Sequence, residues 1–147
     1  MTALFKTTAI AATLSLAAMH AFAEATTLYP FDGSFDDATF AVENAIVSQG
    51  LVVDWVSHVG EMLARTGADL GSEVTIFDNA DIYMFCSAVV SRQVMEADPL
   101  NIAYCPYGVF VFERDGEINI GYRNLPEGEM QAVQELLDEI ARDAAGQ

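Results

Sequence analysis

Cations are scarce in this chain of 147 residues, and this scarcity limits the functions that the protein can have. Lys6 is the only lysine, and six cations in all face 22 acidic residues, which gives a net charge of −16. A surface this acidic repels phosphate backbones and anionic lipid, so we expect no binding to nucleic acid or to a membrane surface. The charge is typical of a protein kept soluble in a saline medium, or of one that meets a cationic partner.

Catalytic motifs are also missing. The sequence contains no Gly-x-Ser-x-Gly nucleophile motif, no phosphate-binding loop and no dinucleotide-binding fingerprint. The EF-hand pattern for calcium is absent, and carboxylates are so plentiful that neighbouring pairs indicate nothing about acid or base catalysis. The sequence therefore favours a non-enzymatic domain, and we predict no resident cofactor from motifs.

The first 23 residues have the features of a cleavable secretory signal peptide. Lys6 precedes an apolar stretch over residues 7–19, and residues 21–23 read Ala-Phe-Ala, the small-x-small pattern that signal peptidase cleaves. The stretch is too short for a permanent membrane anchor, which needs roughly 20 apolar residues. We expect cleavage before Glu24, release into the periplasm, and no membrane span after cleavage.

Residues 24–147 are expected to form one domain in which strands and helices alternate. Strands are predicted over residues 28–32, 51–56, 82–85, 107–113 and 117–123, and helices over residues 34–49, 60–66, 87–97 and from residue 124 onward. This order predicts an α+β fold in two layers, with the helices packed on one mixed or antiparallel sheet.

Short local signals place the turns and helix ends. The dipeptide Asp115-Gly116 between two apolar runs predicts a β-hairpin. Asn124 with Glu127 has the pattern of a capping box, which would open the last helix. Gly67 is expected to end the second helix, in which Met62 would face the core.

The spacing of residues 85–107 resembles the domain of unknown function 302 family. That family tends to show a phenylalanine ending a strand, a Gly-Asn-Pro turn, a helix containing methionine, a proline, and a Leu-Pro-Leu segment opening a hairpin. The matching positions here are Phe85-Cys86-Ser87-Ala88, Met95, Pro99 and Tyr104-Cys105-Pro106-Tyr107, with Gly50-Leu51 and His58 upstream. The resemblance covers nearly all of residues 24–147, and it implies a compact α+β domain, often a homodimer, with no established reaction. This chain departs from the family by carrying two cysteines, one of them at the turn glycine.

Cys86 and Cys105 are the only cysteines of the chain. If the strands beside them run antiparallel, both sulfurs lie at the same edge of the sheet, where an oxidising compartment favours a structural disulfide. The alternative is a reactive thiol pair used in redox or sulfur chemistry. Cys86 precedes a predicted helix whose N-terminal dipole favours a thiolate, and Arg92 lies about a turn along that helix. The sequence lacks the Cys-x-x-Cys spacing that is typical of thiol oxidoreductases.

A third interpretation is a soft-metal site. The two cysteines, His58, Met84 and Met95 include the sulfur and nitrogen donors that select Cu(I) or zinc, although none stands at a recognised ligand spacing. The methionines fit core positions better than ligand positions. The candidate ligand-binding residues are His58, Ser87, Arg92 and Tyr107. Their partner is expected to be a small ligand or a periplasmic protein.

Overall fold

The described residues of the computed structural model are 25–147, so the predicted signal peptide lies outside them. The strands are β1 (Thr26–Phe31), β2 (Val53–Ser57), β3 (Asn79–Phe85), β4 (Tyr107–Arg114) and β5 (Glu117–Arg123). The helices are α1 (Phe35–Ser48), α2 (Val59–Asp69), α3 (Ala88–Ala97) and α4 (Gln131–Ala144), with a 3-10 helix over Pro99–Tyr104. Within residues 25–147, no helix is both long enough and apolar enough to cross a membrane.

All five strands belong to one open sheet in the order β1-β5-β4-β3-β2, and every neighbouring pair is antiparallel. The predicted hairpin joins β4 to β5 through Asp115 and Gly116, which have φ angles of 55° and 79°. Tight hairpin turns require such left-handed angles, which Asp and Gly tolerate better than most residues. The predicted α+β fold is confirmed, and the sheet is antiparallel rather than mixed.

Helices α1 and α4 lie together on one face of the sheet and enclose the core against it. The capping box of Ser34 and Asp37 fixes the start of α1, because each residue bonds to the backbone of the other. The largest side chains that are fully buried between the layers are Tyr107, Phe85, Ile46, Ile120, Ile140, Val42, Val94, Val109, Val111 and Val133. Helix α4 contributes the buried side chains of Val133, Leu137 and Ile140 to this core.

One carboxylate ties α4 to the edge of the sheet. The hydroxyl groups of Tyr29 and Tyr122 both donate hydrogen bonds to Oδ1 of Asp138, at 2.5 and 2.7 Å. Burial is the main cause that raises the pKa of Tyr122 to about 12, so this hydroxyl keeps its proton and remains a donor. The contact fixes β1 and β5 against the helix layer.

Helix α2 departs from its predicted end and orientation. It continues past Gly67 to Asp69, and the left-handed residue that follows the helix is Gly71, with φ 70°. The N–H of Ser72 then bonds to the carbonyl of Gly67, which closes the last turn. Met62 was predicted to face the core, but its side chain is 42% exposed, so this prediction is wrong.

The start of α4 was also predicted too early, because Asn124 directly follows β5 and is hydrogen-bonded to residues at the start of β1. Its N–H donates to the carbonyl of Ala25, and its side-chain oxygen accepts from Thr27. The chain then makes a turn before α4 begins at Gln131. The side chain of Gln134 accepts the N–H of Leu125, which satisfies this backbone donor within the turn.

Candidate functional site

The two cysteines meet where β3 ends and β4 begins. Phe85 and Tyr107 pair across these antiparallel strands, which places the residues just beyond them at one edge of the sheet. The sulfur atoms of Cys86 and Cys105 are 2.9 Å apart as free thiols. Cys86 is exposed and Cys105 is partly buried, so a soluble thiol or disulfide can reach the pair.

The electrostatics of Cys86 run against the expectation of an activated thiolate. Although the residue as a whole is exposed, partial burial of its sulfur atom is the main cause that raises the pKa of Cys86 to about 11, with further contributions from the hydrogen bond to Cys105 and the nearby charge of Asp54. The start of α3 does not offset this, because Ser87 caps the helix and its hydroxyl accepts the N–H of Val90. A nucleophilic thiol at neutral pH needs the opposite shift.

The same edge holds Ser87 and Tyr107, two of the predicted ligand-binding residues, but both serve the fold. Ser87 is 6% exposed and caps α3, as described above. Tyr107 is 2% exposed, and its hydroxyl lies 3.0 Å from the hydroxyl of Ser91 in α3. Neither side chain is free to turn toward a ligand in solution.

His58 and Arg92 do not join the cysteines. Nδ1 of His58 lies 2.8 Å from Oδ1 of Asp81, and this contact raises the pKa of His58. Asp81 lies five residues before Cys86 on β3, which corresponds to roughly 16 Å at the rise of an extended strand. Arg92 forms an exposed ion pair with Glu96 one turn further along α3.

The soft donors are likewise scattered. Met95 packs against the core, whereas Met84 lies on the opposite face of the sheet, where it pairs with Trp55 of β2. No group of three or more His, Cys, Asp or Glu residues within residues 25–147 could hold a metal ion. A metal ion at this edge of the sheet would find two thiol ligands, Cys86 and Cys105, and no third ligand among the predicted donors.

The sheet face opposite α1 and α4 carries a groove that the sequence analysis missed. Alternation along the strands directs Leu28 of β1, Ile82 of β3, and Phe110 and Phe112 of β4 to this face. The groove has a volume of about 620 Å³, and it is lined almost entirely by apolar side chains. Its size lies within the range of small-ligand pockets, which is about 300–1,000 Å³.

A glycine shapes the floor of this groove. An added Cβ on Gly121 would lie 2.6 Å from a methyl carbon of Leu28 and 2.9 Å from the ring of Phe110, so these side chains lean together over the glycine. At the far end, the rings of Phe77 and Phe112 are 5.5 Å apart and form a wall. The signal available in the sequence was the run of residues 107–112, which is apolar or glycine at every position rather than at every second one.

Comparison with known families gives a match that spans the whole fold. The profile of the family described as "Domain of unknown function DUF302" matches residues 26–147. The chain belongs to the DUF302 family. A solved structure titled "Crystal structure of uncharacterized conserved protein DUF302 from Bacillus stearothermophilus" is similar, with a TM-score of 0.57 and 18% sequence identity. The similarity covers 82% of this chain and 88% of that chain. Comparison with curated proteins finds no match.

Membership confirms the resemblance that was seen between residues 85 and 107. Both the cysteine edge and the apolar groove lie inside the part of the chain that matches DUF302. At 18% identity the solved relative is evidence for the fold alone. The chemistry of this DUF302 domain must therefore be argued from its own side chains.

Proposed function

We propose that this DUF302 domain is an exported, non-enzymatic binding module that takes up a small ligand on its open sheet face. The observation that carries the proposal is the apolar groove of about 620 Å³ on that face. Antiparallel sheets that are covered on one side usually present polar residues to water on the other. Here Phe110 and Ile82 face each other across β4 and β3, and Leu28 of the edge strand is 45% exposed.

The binding test uses a neutral apolar fluorescent probe, N-phenyl-1-naphthylamine, with the protein purified after export. We expect saturable binding that Leu28→Asp weakens at least tenfold, because the variant places a carboxylate against the apolar probe. Val89→Asp is the matched control, since Val89 is 78% exposed on α3 and does not line the groove. Absence of saturable binding, or equal loss in both variants, would reject the binding proposal.

The cysteine pair is proposed as a structural disulfide in the mature protein. Each thiol gives up one proton and the pair gives up two electrons to the disulfide of an oxidant, which leaves as a dithiol. The free sulfurs are already 2.9 Å apart, so closure requires a shift of about 1 Å from contact to a bond of about 2.0 Å.

Export to the periplasm is part of the same proposal, and it rests on the sequence pattern of residues 1–23. The intact mass of the purified protein tests it. We expect the mass of residues 24–147, reduced by two daltons when the disulfide is closed. A retained leader would contradict the proposed site of function.

A second candidate function is thiol redox or sulfur handling, with Cu(I) or zinc binding as a variant of it. The sulfur–sulfur distance of 2.9 Å and the exposure of Cys86 favour it. Titration with a disulfide reagent separates the two functions. Rapid, reversible reaction of Cys86 near neutral pH, or a stoichiometric metal in the purified protein, would support the second candidate over the structural disulfide.

A further inference from the structure

The groove runs obliquely across the sheet. It extends from Thr26 and Leu28 on β1 to Phe112 and Arg114 on β4. Thr26 pairs with Arg123 of β5, and the register of β5 with β4 places Arg123 beside Gly108. The groove therefore spans about six residues of β4, from the level of Gly108 to Arg114. At about 3.4 Å per residue this is roughly 20 Å. An apolar groove of this length suits an extended chain better than a compact ring.

The charges along the groove are unequal. Among its lining residues only Asp81 and Arg114 are charged. Asp81 already has a partner, because its Oδ1 lies 2.8 Å from Nδ1 of His58. Arg114 has a weaker partner, because its Nε is 3.4 Å from Asp115 and both side chains are well exposed. A guanidinium carries five N–H donors, so this contact leaves capacity for an anionic group.

We propose that the groove binds a single-chain amphipathic carboxylate, such as a free alkanoate, with its apolar chain along Leu28, Phe110 and Phe112 and its carboxylate at Arg114. This inference rests on the proposed binding function and adds the chemical class of the ligand. Guanidinium and carboxylate form charge-assisted hydrogen bonds of matching geometry. A net charge of −16 opposes approach to the many charges of an anionic bilayer far more than it opposes a single carboxylate, so the ligand is a free molecule rather than a membrane.

A second copy of the chain fits this face less well. Two copies that meet here would bring two strongly acidic proteins together. Arg114 is the single cation that lines the groove, and the only carboxylate that lines an identical groove is Asp81, which already contacts His58.

The experiment measures displacement of N-phenyl-1-naphthylamine by decanoate, decanol and decyltrimethylammonium, each below its micelle concentration. Decanoate is expected to bind about three- to tenfold tighter than decanol, because one partly exposed charge-assisted contact is added, and the cation is expected to bind weakest. Lengthening the alkanoate should raise affinity by at most about fourfold per methylene group. Arg114→Gln should bring decanoate to the affinity of decanol.

Arg92→Gln is the matched control, since Arg92 is an equally exposed arginine in an ion pair away from the groove. It should leave the preference for decanoate intact. Equal affinity for decanoate and decanol in the wild type would overturn the ligand class while the binding module stands. Loss of probe binding altogether would reject the binding function itself. A dimer in light scattering that Leu28→Asp converts to a monomer would identify a second copy as the occupant and overturn the inference.

Discussion

Replacing Cys86 with Ser removes one half of the proposed disulfide while changing little else, because Cys86 is exposed and Ser is similar in size. The bond would close a loop of about 20 residues, and the loss of unfolded-state entropy for that length contributes about 3 kcal/mol to the free energy of unfolding. In a domain of this size about 1 kcal/mol shifts the melting temperature by about 4 °C. We therefore expect the variant to melt about 12 °C below the oxidised wild type.

The assay is thermal unfolding by circular dichroism, with and without a phosphine reductant. Oxidised wild type should have the highest melting temperature. Reduced wild type should have the same melting temperature as Cys86→Ser, and the reductant should not change that of the variant. Cys105→Ser should melt slightly lower than Cys86→Ser, because Cys105 packs against the core and loses apolar contact as well. A thiol titration on the same samples reports whether the bond was closed before heating.

Equal melting temperatures for the oxidised wild type, which has no free thiols, and the reduced wild type would contradict the predicted stabilisation. In that case the unfolded chain would already be restricted near residues 86–105, and the loop-entropy argument would not apply. Free thiols in protein taken directly from the periplasm would contradict the structural disulfide itself.

Two further predictions concern α2 and its first residues. Gly60→Ala should destabilise the domain by about 2 kcal/mol, because the added Cβ would lie 2.5 Å from the backbone nitrogen of Ala80. Gly67→Ala in the same helix should stabilise it by about 0.5–1 kcal/mol, because the nearest atom to the added Cβ is an oxygen at 3.8 Å. Urea unfolding of both variants measures the two changes, and equal effects would contradict the prediction. The contact with Asp81 raises the pKa of His58, so its contribution to stability is present below pH about 6.5 and is lost as the pH rises through the folded pKa. Asp81→Asn should return the imidazole to its ordinary pKa in an NMR titration, and an unshifted value in that variant would exclude the carboxylate as the cause.

Elements with strong local signals could be predicted from the sequence. Ser34 and Asp37 specify the start of α1 through their own side chains, and Asp115 and Gly116 specify the hairpin through their tolerance of positive φ. The start of α4 could not be predicted in this way, because Asn124 has the residue type of a helix cap but bonds to β1, about 100 residues earlier. Long-range pairing overrode a local preference there.

The candidate site divides along the same line. The meeting of Cys86 and Cys105 followed from two antiparallel strands that were visible as apolar runs, and the sulfur–sulfur distance of 2.9 Å confirms that proximity. The groove could not be predicted, since β4 is apolar on both faces and its sequence does not say which face the helices cover. His58 was grouped with the cysteines by residue type, whereas register places it near the other end of β3.

The disulfide and the ligand act on different states of the chain, which makes their contributions separable. Closing the loop between Cys86 and Cys105 raises the free energy of the unfolded chain, whereas a ligand over Phe110 lowers that of the folded chain. A ligand at one hundred times its Kd should add about 2.7 kcal/mol to the stability, and this gain should be the same in oxidised and reduced protein. Additivity is expected because the groove and the cysteine edge share no side chain. A ligand gain that depends on the oxidation state would show that closing the bond reshapes the groove, and would make the cysteine pair a regulator of binding.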